Sequence, residues 1–102
     1  MLQRINTNPG VHSTMNKSLR RHMASTIAEE VKHEIDRTEE EFGPFHSLHE
    51  GLAVLREEYQ ELEQEVFWGY RESGNTDGVR REALQVAANA IRIAMMISPV
   101  PY

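Results

Sequence analysis

Apolar residues recur at helical spacing in three stretches of the chain, and nowhere do they alternate as a half-buried strand requires. In the first stretch Ile27, Val31 and Ile35 share a face, with Met23 in range to join them. Thr26 and Glu29 have the spacing of a capping box, which predicts a start near Ser25 or Thr26; Gly43-Pro44 predicts the end. In the second stretch Leu48, Leu52, Leu55, Tyr59, Leu62 and Val66 form one narrow stripe at ~100° per residue. Ser47 and Glu50 make a second capping box, and Gly69 is the expected stop after Trp68. Residues 70–78 read as a loop, and a third helix is expected from Val79 to Ile97, ended by Ser98-Pro99. Residues 1–22 carry turn and coil residues such as Asn8, Pro9 and Gly10, so they read as a flexible or partner-ordered segment ahead of an all-α domain over 23–102.

The third helix is apolar on most sides, through Leu84, Val86, Ile91, Ile93, Met95 and Ile97, with Ala83, Ala87, Ala90 and Ala94 permitting close approach. Such a helix is normally buried. Three helices cannot easily surround one of their own number, so the pattern predicts a helical bundle of three main helices completed by self-association. One stripe of the same helix is polar: Glu82, Gln85, Asn89 and Arg92. It either faces water and fixes the bundle through hydrogen bonds, or faces a polar partner across a cavity. The second helix carries a candidate partner, an acidic stripe of Glu50, Glu57, Glu58, Glu61 and Glu65 nearly opposite its apolar one. Like charges at this spacing repel by a few tenths of a kcal/mol per pair. Solvation on an exposed face, or a bound cation with its preference for oxygen ligands, relieves that repulsion.

Length, charge and cysteine content narrow the function. The 102 residues suit one small domain, which buries a modest share of its surface alone. The net charge of −5 argues against nucleic acid as the main partner, because phosphate contacts need clustered cations. The one basic cluster, Lys17, Arg20, Arg21 and His22, is the only support for a DNA-associated role. No apolar run reaches membrane-spanning length, and the absence of cysteine removes disulfides, thiolate metal sites and cysteine nucleophiles. A cytoplasmic location is the default expectation. There is no phosphate-binding P-loop, and His12, His22, His33 and His46 lack metal-ligand spacing.

Gly43-Pro44-Phe45, His49-Glu50-Gly51 and the run from Val54 to Leu62, followed by the run from Glu82 to Arg92, resemble the MazG-like all-α nucleoside triphosphate pyrophosphohydrolases. The likeness is to the short, often phage- or prophage-associated members, and it covers roughly residues 43–92. It implies a homo-oligomer, dimer or tetramer, that uses Mg²⁺ (with Mn²⁺ as the alternative) to cleave a (deoxy)nucleoside triphosphate to the monophosphate and pyrophosphate. The family pattern of E-x-x-E on one helix and E-x-x-D on the next falls on Glu58 and Glu61, then Glu82 and Gln85. The resemblance therefore implies metal ligands at Glu58, Glu61, Glu82 and Gln85. Glu57 or Glu50 would orient the attacking water, and His49, Asn89 and Arg92 would contact substrate, with Arg80 and Arg81 as further phosphate candidates. Gln85 departs from the pattern: an amide oxygen can ligate Mg²⁺ but brings no negative charge. Glu57, Glu65 or Asn89 are candidates to replace the missing carboxylate. The alternative is a catalytically weak or inactive oligomeric helical protein that binds nucleotide or a protein partner.

Overall fold

The computed structural model describes residues 16–100, and they are all-helical, without a strand. Three long helices dominate: α1 (Lys17–Phe42), α2 (Leu48–Gln64) and α4 (Asp77–Ile97). Between α2 and α4 the chain continues through a π-helical stretch, Glu65–Tyr70, into the single turn α3 (Arg71–Ser73). No helix of the described residues is long and apolar enough to cross a membrane.

The helix limits differ from the sequence expectation in three places. First, α1 begins at Lys17 rather than near Ser25, because Asn16 caps it: the Leu19 N–H donates to Asn16 Oδ1 at 2.8 Å. Thr26 is mid-helix, its hydroxyl turned back to His22 O at 3.1 Å. The expected division at 22/23 therefore falls inside α1, and the basic cluster Lys17–His22 is helical. The remainder of the segment expected to be flexible, residues 1–15, lies outside the described residues. Second, Gly69 does not end the second helix. The left-handed residue is Gly74, with φ 73° and its N–H donating to Tyr70 O at 2.7 Å. Third, the connection shortens to residues 74–76, and α4 starts at Asp77, whose N–H donates to Asn75 Oδ1 at 2.9 Å. The stop at Gly43 is as expected, with φ 77° and its N–H donating to Glu39 O at 2.8 Å.

Glycine at 69 and 78 serves space rather than backbone twist. A Cβ on Gly78 would lie 2.1 Å from Glu65 Oε1, and one on Gly69 would lie 2.6 Å from the same oxygen. The Glu65 carboxylate fits where both side chains are missing.

The helices form an open layer. α4 lies in the middle, with α1 along one side and α2 along the other; α1 and α2 do not approach each other within 8 Å between Cα atoms. α1 runs parallel to α4, as the pairs Glu30–Arg80, Glu34–Gln85 and Glu39–Arg92 show. α2 runs antiparallel, with Gly51 against Ile93 and Glu65 against Gly78. Among the described residues only Val31, Ile35 and Ala88 are buried apolar side chains, joined by the partly buried Ile27, Leu84 and Ala87. That core ties α1 to α4.

Within the protomer it is the polar stripe of α4 that is buried. The buried positions of the helix are Gly78, Glu82, Ala88, Asn89 and Arg92, while Ile91, Met95, Met96 and Ile97 are exposed. The apolar stripe of α2 also turns outward, with Leu48, Leu52, Tyr59 and Val66 exposed. Gly51, half-buried Val54, Glu58 and Glu61, and Glu65 just past the end of α2, face α4 instead.

Candidate functional site: a carboxylate cluster beside a polar cleft

The open layer leaves a cleft between α1 and α2, floored by the polar stripe of α4. Its cavity measures about 500 Å³, within the roughly 300–1,000 Å³ usual for small-molecule sites. α1 lends Arg37, Thr38 and Phe42, and α2 lends Glu50, Val54 and Glu58. Gln85, Asn89 and Arg92 form the floor.

At the edge of this cleft Glu58 meets two more carboxylates. One oxygen from each of Glu58, Glu61 and Glu82 lies within 4.8 Å of the others. Glu58 and Glu61 share a face of α2 because they are three residues apart. Antiparallel packing brings Glu82 of α4 to the same level. Burial pushes the Glu58 carboxyl up to about 7, and the charges of Glu61, Glu82 and Glu57 add to the effect. A proton shared with Glu82, then burial, pushes Glu61 in the same direction. Glu82 is nine-tenths buried, and its Oε2 has no hydrogen-bond partner among the described residues. Arg81 Nε approaches only its other oxygen, at 3.5 Å. A buried carboxylate oxygen without a donor is costly, and a set of three converging oxygens is the ligand chemistry that hard divalent cations take. The donor set thus fits a metal ion.

The other candidates are distributed as follows. Gln85 lines the cavity, but its amide N–H donates to Glu34 of α1. Arg92 is buried and fully engaged: Nε donates to Glu39 at 3.1 Å, one terminal nitrogen to Asn89 Oδ1 at 3.1 Å, and the other to Gly43 O at 3.0 Å. Its guanidinium also stacks on Phe45, 3.8 Å from the ring centre. Asn89 and Arg92 therefore bond each other on the cleft floor, and Arg92 pins the end of α1 and the following turn to α4. Glu50 lies at the cleft edge, held by the His46 N–H at 2.7 Å, which keeps its carboxyl below the usual range. Glu57 is exposed on the outer side of the cluster, and His49 is exposed and does not line the cleft. Arg80 pairs with Glu30 at 2.7 Å, and Arg81 reaches toward Glu65 at 3.9 Å.

The contribution of α1 is what sequence reasoning missed. Glu34, Arg37, Thr38 and Glu39 wall or brace the cleft, and none stood out in a helix with charge on every side. The signal was position: Glu34 and Thr38 lie four apart beside Val31 and Ile35, which face α4.

Compared with protein families, curated proteins and solved structures, the chain matches no family model, no curated protein and no solved structure.

Proposed function

We propose that this chain is a MazG-like, Mg²⁺-dependent nucleoside triphosphate pyrophosphohydrolase. The observation that carries the reading is the trio Glu58, Glu61 and Glu82 at the edge of a 500 Å³ cleft, with one buried Glu82 oxygen left without a partner. The resemblance of residues 43–92 to that family points to the same three carboxylates. Those three side chains would hold the ion, which when bound supplies Lewis-acid polarisation of the phosphates and neutralises developing charge. Mn²⁺ suits the same oxygen ligands.

The chain's own groups divide the remaining work. Glu57, on the solvent side of the cluster, is positioned to orient a water molecule, and Glu50 is the second candidate at the cleft edge. Arg37 lines the cleft and offers a cation to phosphate, although it now pairs with Glu34 and Glu41. Arg92, with each of its three guanidinium nitrogens engaged, positions the cleft floor. Gln85 supports the cleft through Glu34 and is a positioning residue in this reading, rather than a fourth ligand. A cytoplasmic setting goes with an enzyme drawing on the nucleoside triphosphate pool. Self-association goes with it too, since the protomer buries so few apolar side chains.

The test is a panel of nucleoside and deoxynucleoside triphosphates, with and without Mg²⁺, read for pyrophosphate and monophosphate. Both products should form with Mg²⁺, and Glu61→Gln should lower kcat/KM by at least about 100-fold. Folded protein that releases neither product, or Glu61→Gln that leaves the rate unchanged, contradicts the proposal. Nucleotide binding by silent protein would instead favour the non-catalytic reading that Gln85 invites.

A further inference from the structure

The outward stripe of α2 has a second regularity. Leu48, Leu52, Leu55, Tyr59 and Leu62 are spaced four, three, four and three residues apart, a 3.5-residue repeat over two heptads of α2, and Val66 follows four residues on, in the π-helical stretch. A straight helix keeps such a seam in line only by pairing with another helix. No helix of the protomer covers the whole of it: Leu52 and Tyr59 are each 52% exposed and Leu48 46%, with Leu55 and Leu62 half-buried between them. Isolated apolar side chains on a surface are ordinary, but a continuous apolar face marks an interaction site.

We propose that this seam pairs antiparallel with the same seam of a second copy, about a twofold axis between Gln60 and Glu61. Charge selects this arrangement. In heptad register Arg56 and Glu63 flank the seam on one side, and Glu58 and Glu65 on the other, where they turn into their own protomer. Arg56 and Glu63 make no ion pair among the described residues. With the axis at 60/61, Tyr59 packs on Leu62 of the second copy and Leu55 on Val66, each layer occurring twice. Arg56 then lies beside Glu63 of the second copy, also twice. Sliding by one heptad would set Arg56 against its own copy, opposing like charges, and parallel pairing would set Arg56 beside Gly51, leaving it without a charge partner across the seam. In the favoured register Leu52 falls opposite Gly69 in the π-helical stretch, where Phe67, Trp68 and Tyr70 are exposed. The hollow of about 290 Å³ lined by Gln60, Glu63, Gln64, Phe67 and Trp68 lies on the flank that Arg56 of the second copy approaches.

This names the face and register of the self-association included in the reading above, and does not depend on the hydrolytic chemistry. Sedimentation equilibrium of the full chain tests it, with nucleotide hydrolysis assayed separately so that the two can fail independently. The wild type should be a dimer, or a larger assembly built from it. Arg56→Glu and Glu63→Arg should each weaken association about tenfold or more. The double variant Arg56→Glu/Glu63→Arg should return to within about threefold of wild type, and Tyr59→Glu should give a helical monomer by circular dichroism. A wild type that stays monomeric overturns the proposal. So does association unmoved by both single reversals, or a double variant no tighter than the singles.

Discussion

The two faces of α2 are built from opposite chemistry, each turned the way a free-standing protomer would not turn it. The face toward α4 is acidic, with Glu58 and Glu61; the face toward solvent carries Leu48, Leu52 and Tyr59. In a helix that only stabilises a monomer, apolar area faces inward because burial is worth roughly 25 cal/mol per Å². Here the inner face gives up that gain and crowds carboxylates beside a cleft. What the comparison teaches is that α2 adds little apolar burial to the protomer, which is held by a small α1–α4 core and by the engaged Arg92.

If the inner face is the organised one, substitutions there should outweigh those on the outer face. The largest effect is expected for Arg92→Leu. It strands Glu39, Asn89 and the Gly43 carbonyl, and losing one partner of a buried ion pair costs about 3–5 kcal/mol. A chemical denaturation midpoint close to wild type would show that Arg92 is not the brace described. Next is Gly51→Ala, whose Cβ would sit 2.8 Å from Ile93 and 3.0 Å from Phe45. Overpacking of this kind costs about 1–3 kcal/mol, and urea unfolding reads it directly. Leu52→Ala on the outer face should cost a dilute, monomeric sample much less.

The acidic face should also announce itself through pH. The Glu58 carboxyl is raised to about 7 in the fold from an ordinary 4.5, so folding disfavours its charged form. Its contribution to stability is therefore present below about pH 4.5 and is lost as pH rises through about 7. Unfolding of metal-free protein followed at about pH 5 and about pH 8 should show this decline, and Glu58→Gln should flatten it. A smaller effect is expected at the Arg80–Glu30 pair, which is exposed: Arg80→Ala should change stability by less than about 1 kcal/mol.

Much of this was legible in the residues. Helical periodicity marked the three long helices, and the capped start at Ser47 holds, with the Glu50 N–H donating to Ser47 Oγ at 3.0 Å. The grouping of Glu58, Glu61 and Glu82 could be read as two stripes on two helices, although only antiparallel packing made them one cluster. What could not be read was long-range. The Asn16 cap was hidden by the turn-rich residues before it, and Gly69 looked like a stop because a missing side chain serves a close approach as well as a turn. The apolar faces of α2 and α4 stay largely exposed in the protomer, because hydrophobic pattern says which residues share a face and not what covers it. Glu34 and Glu39 were invisible as site residues because their partners, Gln85 and Arg92, lie more than fifty positions away.

The most direct test of the central claim, that the inner face of α2 and Glu82 form a cation site, is thermal unfolding of the full chain near pH 8 with and without Mg²⁺. Stabilisation should grow with concentration, reaching about 2.7 kcal/mol at 100 times Kd, and should vanish in Glu82→Gln while that variant is itself more stable than wild type without metal. An unfolding temperature indifferent to Mg²⁺ and to Mn²⁺, or equal stabilisation of Glu82→Gln, would contradict it.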